Sequence, residues 1–438
     1  MKQEYLDEIK AVLKEDYEAY IEALQQPAVR GFRVNTLKID PDSFFSLTGW
    51  QCRPTPFAAN GFYLDDDLPV SRQNAYAAAL FYMQEPSASA SVTWMNPKPG
   101  MKILDLCAAP GSKTTQIAEA MQGRGLLVAN EIDPARARIL VENVERHGIR
   151  NCLVLNADPR DVAAAFREYY DMVLVDAPCS GEGMFRKEPE AVQAWSLEHV
   201  QSCARRQAHI LDSAWETLKP GGILQYSTCT LNTAENEETI AAFTARHPDM
   251  HVIAGSGSFG HPGISFGNDT ELARRIYPMD GGEGHFVCRL QKAGEGTDTE
   301  LPVIKGDPVP RWLKEQLKEI APLSFEHLLV RNDRVYAGVW PMIKAGRCRI
   351  MRHQVLLGEI RRDRFEPDYA WCMADGENWH HRFELDDSAM EKYMRGESIP
   401  YHGEKGWFAL LWHGYPVGHG RGDGSQIKNK LPKALRRR

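Results

Sequence analysis

Long apolar runs are missing from the 438 residues, and a hydrophobic content of 43% with 25% charge is ordinary for a globular chain. That balance argues against a membrane protein, a fibrous repeat or wholesale disorder. CxxC pairs are also missing. Nine cysteines, an odd number without such a pair, fit neither a disulfide framework nor a zinc finger. They fit a reducing cytoplasm, where a free thiol is either a buried apolar residue or a reagent. The opening stretch MKQEYLDEIKAVLKEDYEAYIEAL alternates charge with Leu6, Ile9, Val12, Leu13 and Tyr17 at helical spacing, with no apolar export segment or cleavage site. Internal repeats and low-complexity segments are absent, and nothing demands a dimer. The expectation is a cytoplasmic, monomeric protein that contacts no membrane and binds no metal.

The net charge of −7 by itself discourages a nucleic-acid partner, but the charge is unevenly spread. Residues 401–438 hold Lys405, Arg421, Lys428, Lys430, Lys433, Arg436, Arg437 and Arg438 against Glu404 and Asp423. This segment is +6, which leaves −13 for the rest. A basic end on an acidic body points to a polyanion.

The length exceeds one hydrophobic core, so two to four domains are expected. Between about residue 100 and 248, short apolar runs alternate with amphipathic helical stretches: KILDLC, LLVANE, CLVLNAD, DMVLVDAP and ILQYSTCT are each followed by helical material. Such alternation implies βαβ units and a mostly parallel sheet with helices on both faces. EGHFVCRL supplies a last strand. RVNTLKI is a strand in the preceding region, GEGTDTE is a polar linker, and WFALLWHGYPVGHGRG reads as a hairpin. The expected domains are an N-terminal region over 1–95, a Rossmann-like core over 96–293, an intermediate domain over 301–375 and a C-terminal module over 376–438.

In an open parallel sheet a ligand sits beyond the carboxyl ends of the strands, where the strand order reverses. LDLCAAPGSKTT puts small residues and one glycine there, beside a helix N-terminus. A P-loop fails because Cys107 and Ser112 stand where its glycines belong ahead of Lys113, and a dinucleotide turn fails because only Gly111 is available. S-adenosylmethionine, which has no pyrophosphate, needs a small-residue turn and a carboxylate for its ribose. Glu131 ends the second strand twenty positions after Gly111, close to the spacing of about twenty expected of a ribose carboxylate. Asp158 ends the third strand and is placed to meet the adenine edge. The competing role for one such acid is helix capping, which Asp133 before Pro134 is expected to perform.

Two further strand ends carry thiols, Asp176-Ala-Pro-Cys179 and Ser-Thr-Cys229-Thr. A single cysteine is by default a buried apolar residue, and Cys52, Cys152, Cys203, Cys288, Cys348 and Cys372 are read so; Cys107, in the cofactor turn, packs and does not react. A thiol beside a methyl donor suits pyrimidine chemistry. Carbon C5 is a poor nucleophile until a thiolate adds at C6 and makes it enamine-like. Asp176, protonated or hydrogen-bonding to N3 of cytosine, would offset charge building on the ring. One nucleophile suffices, and the residues alone do not say which cysteine it is.

CAAPGSKT, DAPCSGEG, YSTCT with AENEE, and RVNTLK resemble the motif set of the Fmu/Sun-type RNA cytosine-5 methyltransferases. RRIYPMDGGEGHFV, GYPVGHGRG and IKNKLPKALRR resemble its bacterial RsmF branch, which methylates small-subunit ribosomal RNA. The likeness spans nearly the whole chain and departs from the commonest motif at Ser112, where many members have glycine. It implies a Rossmann-like class I S-adenosylmethionine methyltransferase core, a small α+β N-terminal RNA-binding domain and a C-terminal PUA-like module. It further implies that Cys229 attacks C6 and that Cys179 assists release. Cys107, Ala108, Ala109, Pro110, Gly111, Ser112, Lys113, Glu131, Asp158 and Asp176 would hold the cofactor. Arg33, Asn35 and Lys38 would hold RNA. The implied partner is ribosomal RNA or the small ribosomal subunit, with the target cytosine in the decoding region.

Other readings are a tRNA cytosine-5 methyltransferase, an RNA-binding assembly factor without turnover, and a DNA cytosine-5 methyltransferase. The last attacks from a Pro-Cys motif, typically Pro-Cys-Gln, where this chain has Pro-Cys-Ser and a second cysteine. An exocyclic-amine methyltransferase would end its fourth strand Asn/Asp-Pro-Pro-aromatic, and Asp-Ala-Pro-Cys lacks the aromatic. Since an in-helix cytosine cannot offer C6 to a thiol, the target must lie in an open region or be flipped out.

Overall fold

The computed structural model describes residues 1–64, 68–362 and 364–437. The helical signal at the start becomes two helices, Gln3–Leu13 and Tyr17–Leu24, whose apolar faces pack on Phe185, Trp195, Leu231 and Tyr277. Strands β1 (Gly31–Val34), β2 (Gly61–Tyr63) and β3 (Phe81–Met83) then form a small antiparallel sheet in the order β2-β1-β3. The strand expected over RVNTLKI is therefore shorter and lies in the middle of its sheet, not at an edge.

The near-continuous Val, Ile and Leu runs become buried parallel strands, as the double cover of helices requires. They are β4 (Lys102–Asp105), β5 (Leu126–Asn130), β6 (Cys152–Asn156), β7 (Tyr170–Asp176) and β8 (Leu218–Thr228). Strands β9 (Met250–Ile253), β10 (His261–Pro262), β11 (Arg274–Ile276) and β12 (His285–Lys292) extend the sheet, and β12 runs antiparallel to β8. The order is β10-β11-β12-β8-β7-β4-β5-β6, with β9 paired to β12. It reverses beside β4, which fixes the crevice at the carboxyl ends of β4, β5, β7 and β8. Helix starts are set by the expected devices: Asp133 accepts hydrogen bonds from the Ala135 and Arg136 amides ahead of Pro134–Arg146, and Ser196 caps Leu197–Thr217. This is a Rossmann-like core.

The last third of the chain wraps this core. Arg349–Arg352 adds an antiparallel strand to the free edge of β6, a pairing the sequence did not announce. The helix Arg311–Ile320 and a four-stranded sheet from His327 to Pro367 share an apolar cluster with Trp371, Trp379 and Leu411. The expected hairpin forms from Gly406–Trp412 and Tyr415–Gly422. Its Phe408 and Leu410, with Tyr393 and Ile427, join Phe32, Phe44 and Phe81 in a single core, so the N-terminal sheet and the C-terminal module pack on each other. Among the described residues no helix is long and apolar enough to cross a membrane.

Candidate active site

The turn after β4 is held open by its neighbours. Ala108 donates its amide to Asn130 O at 2.8 Å, while Arg136 and Asn143 of the next helix donate to the carbonyls of Ala109 and Pro110 at 2.8 and 2.9 Å. Gly111 takes φ +111°, which a side chain rarely adopts, and starts the helix Ser112–Ala120. Its first amides face the crevice. Cys107 packs into the core and burial pushes its thiol far up, so it is no reagent.

Asp105, at the end of β4, was not singled out from sequence although it occupies the strand-end position of Glu131 and Asp176. It is fully buried: Thr114 Oγ1 donates to Oδ2 at 2.6 Å, and Oδ1 has no partner among the described residues. Burial pushes its carboxyl up to about 7, against the Thr114 hydrogen bond. Glu131 is 3% exposed and accepts from the Asp133 amide at 2.9 Å. Asp158 sits one strand over, but both its oxygens are engaged by Arg160, and it caps the helix Pro159–Ala165. The Arg160 side-chain hydrogen bond holds its carboxyl below the usual range. The capping role set aside for Asp158 is thus one it performs. An orphaned buried oxygen on Asp105, a small-residue turn at a helix N-terminus and a buried carboxylate ending β5 together suit a cofactor with a charged amino group and ribose hydroxyls.

The register Asp176↔Ser227 sets the ends of β7 and β8 level. Ser227 Oγ donates to Asp176 Oδ1 and Lys113 Nζ pairs with Asp176 Oδ2, each at 2.8 Å. Burial, the largest influence, would raise Asp176, but the Lys113 ammonium, His285 and the hydrogen bonds from Lys113 and Ser227 together hold the carboxyl below the ordinary range. Of the two possibilities raised from the sequence, a protonated Asp176 or one hydrogen-bonding to N3, the lowered pKa does not favour the protonated acid, and Lys113 supplies positive charge beside it. Lys113 in turn is raised: burial, the largest influence, would lower it, but the charge and hydrogen bond of Asp176 together with Cys229 and Asp105 more than offset that.

The two thiols meet. Cys179 Sγ and Cys229 Sγ are 3.3 Å apart, a contact and not a disulfide, whose length is about 2.05 Å. The hydrogen bond with Cys229, then burial, pushes the Cys179 thiol well up, so Cys179 keeps its proton. Two buried carboxylates tie the loops that carry them. Glu182 accepts from the Leu231 and Asn232 amides at 2.8 and 2.9 Å and from Trp195 Nε1 at 2.8 Å. Glu235 accepts from the Ser180 amide at 3.0 Å, from its hydroxyl, and from Gln207 Nε2 at 2.7 Å. Both glutamates lie inside the quoted motifs, yet nothing in the sequence distinguished them from surface acids.

Of the residues expected to hold RNA, Arg33 and Asn35 do not face solvent and Lys38 is half-buried. Arg33 is 1% exposed and forks onto Glu119 at 2.7 and 3.0 Å, with further hydrogen bonds to Thr115 and Gln84. Asn35 is fully buried and donates to Ala79 O, and Lys38 donates to Ala78 O at 2.9 Å. RVNTLK docks the N-terminal sheet onto the core, so its expected RNA contacts are withdrawn. Of the basic end, Arg437 donates to Gln73 O and Arg436 to Leu431 O, whereas Lys405, Arg421, Lys428, Lys430 and Lys433 are exposed. Arg438 lies outside the described residues.

Comparison with known proteins agrees with this geometry. The sequence pattern of 16S rRNA methyltransferase RsmB/F matches residues 92–291, that of the N-terminal domain of 16S rRNA methyltransferase RsmF matches 1–86, and that of the RsmF PUA domain matches 380–437. Ribosomal RNA small subunit methyltransferase F of Vibrio cholerae serotype O1 is 34% identical over 442 residues, 95% of this chain and 93% of that protein. The protein of that name from Serratia proteamaculans is 33% identical over 98% of this chain and 95% of its own. Among solved structures, a methyltransferase homolog protein from Pyrococcus horikoshii superposes with a TM-score of 0.60 at 28% identity, covering 67% of this chain and 95% of that one.

Proposed function

We propose, since the chain belongs to the RsmB/F family of 16S rRNA methyltransferases, that it transfers a methyl group to carbon C5 of a cytosine in small-subunit ribosomal RNA through a covalent cysteine adduct. The observation that carries this reading is the 3.3 Å approach of Cys179 and Cys229 beside the Lys113–Asp176 pair. Neither pairing has a use in mere RNA binding.

The methyl donor of this family is S-adenosylmethionine, which when bound supplies an electrophilic methyl group. Asp105, Glu131 and the amides following Gly111 are the groups that suit it, with Asp158 at the rim. Cys229 is the nucleophile. The Lys113 ammonium lies within electrostatic reach of Cys229. As Cys229 Sγ bonds to C6, the electrons of the C5–C6 double bond move toward C5 and N3. Asp176, as a carboxylate, accepts from the exocyclic amine, and the Lys113 ammonium meets the negative charge that the electron shift places on N3 and the ring. C5, now nucleophilic, accepts the methyl group. A base then takes the C5 proton, the electrons of the C5–H bond restore the C5–C6 double bond, and the Sγ–C6 bond breaks with its electrons returning to sulfur. Cys179, which retains its proton, hydrogen-bonds the departing sulfur and so assists release.

The test is RNA containing 5-fluorocytidine, which cannot lose a C5 proton, incubated with S-adenosylmethionine and run on a denaturing gel. Wild type and Cys179→Ala form a covalent adduct and Cys229→Ala does not. An adduct lost only with Cys179→Ala reverses the two roles, and no adduct with any cytosine-containing RNA defeats the covalent mechanism.

A further inference from the structure

His285 opens β12, and the mechanism above makes no use of it. Its place follows from the registers. Asp176 lies level with Ser227, Ser227 pairs with Val287, and Thr228 pairs with Phe286. Alternate residues of a strand share a face, so His285, two before Val287, lies on the sheet face that carries Asp176 and Ser227. One step beyond the last register pair it stands across from Cys229. Cross-strand neighbours of an antiparallel pair lie about 5 Å apart at Cβ. His285 therefore shares the edge of the sheet with the nucleophile, within electrostatic reach of Lys113, Asp176 and Glu85.

The ring is 4% exposed, and neither nitrogen has a hydrogen-bond partner among the described residues. The Gly284 backbone lies close enough to raise the ring's pKa slightly, yet neither nitrogen meets it in hydrogen-bonding geometry. A buried imidazole with both nitrogens unmatched is costly, and proteins seldom keep such a group without a ligand for it. Burial, then Lys113, pushes its pKa down to about 4, so the ring is neutral and offers one N–H donor and one lone pair. A flipped pyrimidine brings polar edge atoms of both kinds, a carbonyl that accepts and an amine that donates.

We propose that His285 hydrogen-bonds the polar edge of the pyrimidine that Cys229 attacks, so that Lys113, Asp176 and His285 read the target base together. This rests on the reading under Proposed function. It makes His285 a residue that touches substrate and helps select it.

The experiment compares wild type, His285→Phe and His285→Asn in single-turnover adduct formation on 5-fluorocytidine RNA, together with their thermal midpoints. His285→Phe should slow adduct formation about tenfold, the loss expected for one hydrogen bond, and raise the half-saturating RNA concentration. Its thermal midpoint should equal or exceed that of wild type, since an unmatched buried polar group is gone. His285→Asn should recover part of the rate at a lower midpoint. A packing role predicts the reverse, with Phe active and Asn impaired, and that pattern overturns the proposal. So does wild-type kinetics in His285→Phe. Should Phe lower the midpoint, Asn and Leu are compared at equal folded fraction: Asn faster than Leu supports the proposal, and equal rates overturn it. No adduct with wild type overturns the reading under Proposed function and this one with it, whereas an undiminished adduct with Phe overturns this one alone.

Discussion

Arg33 of the N-terminal sheet and Glu119 of the helix after the cofactor turn form a buried two-pronged ion pair across the boundary between two domains. Removing one partner leaves the other charged and buried, a cost of about 3–5 kcal/mol. Arg33→Ala should therefore unfold at markedly lower urea concentration than wild type. Protein that remains folded should bind RNA with unchanged salt dependence, measured by filter binding across ionic strengths. A flattened salt slope would restore the RNA-contact role withdrawn above.

Lys113 holds Asp176 ionised. In Lys113→Met the carboxylate keeps its burial but loses the ammonium that most strongly opposed it, so its pKa rises. Loss of activity on acidification should begin at higher pH in the variant. The check is the acid limb of the single-turnover pH profile, on top of a rate loss of about 10²–10³-fold. An acid limb that stays in place would show that Asp176 does not govern it.

Glu182 aligns the Cys229 turn by accepting two successive amides. Glu182→Ala strands those amides and the Trp195 indole, so about 2–4 kcal/mol of stability should be lost. Glu182→Gln, which keeps one acceptor, should lose less. Chemical denaturation followed by tryptophan fluorescence measures both.

His419 is 3% exposed, and burial, then Lys430, pushes its pKa down to about 4. Unfolded, it titrates near 6.5, so below that pH the unfolded chain takes the proton first. Its contribution is fully present above about 6.5 and is lost as pH falls toward 4, at about 1.4 kcal/mol per unit. Compared with wild type, His419→Gln should gain relative stability across that window and show a constant difference above pH 7. Paired urea titrations from pH 7.5 to 4.5 decide it.

The basic end remains a candidate for phosphate binding, but deleting 401–438 is the wrong test, because Phe408, Leu410 and Ile427 belong to the core of the N-terminal sheet. Lys405→Gln, Lys430→Gln and Lys433→Gln change exposed positions and spare that core. Each phosphate that a substitution leaves without its lysine should reduce the slope of log K against log salt by about 0.7 on single-stranded RNA. Cofactor affinity by calorimetry should not move. An unchanged slope in the triple variant would place the RNA elsewhere.

The core strands were readable because buried parallel strands are written as apolar runs, and the crevice because acids and thiols end those runs. Which cysteine attacks was not readable, since both end neighbouring strands in the same way; in the structure the hydrogen bond with Cys229 and burial push Cys179 up, which supports the proposed assignment. Arg33 misled because a polar residue on a short strand reads the same whether it meets water or a buried glutamate 86 positions later. His285 went unnoticed because one histidine in EGHFVCRL is unremarkable until its ring is seen to lack partners. The strand Arg349–Arg352 was invisible for a similar reason: its pairing with β6 is set by a sheet edge nearly two hundred residues earlier.

The shared core of the N-terminal sheet and the C-terminal module bears on how the protein is made. Phe32, Phe44 and Phe81 leave the ribosome early, and the residues that cover them, Tyr393, Phe408 and Ile427, are synthesised hundreds of residues later. During translation the first sheet is thus an exposed apolar surface waiting for its other half, and the order of synthesis makes the earliest domain the last to be completed. A chain stalled before residue 408 should be a client for chaperones and proteases even though its central methyltransferase domain is already whole.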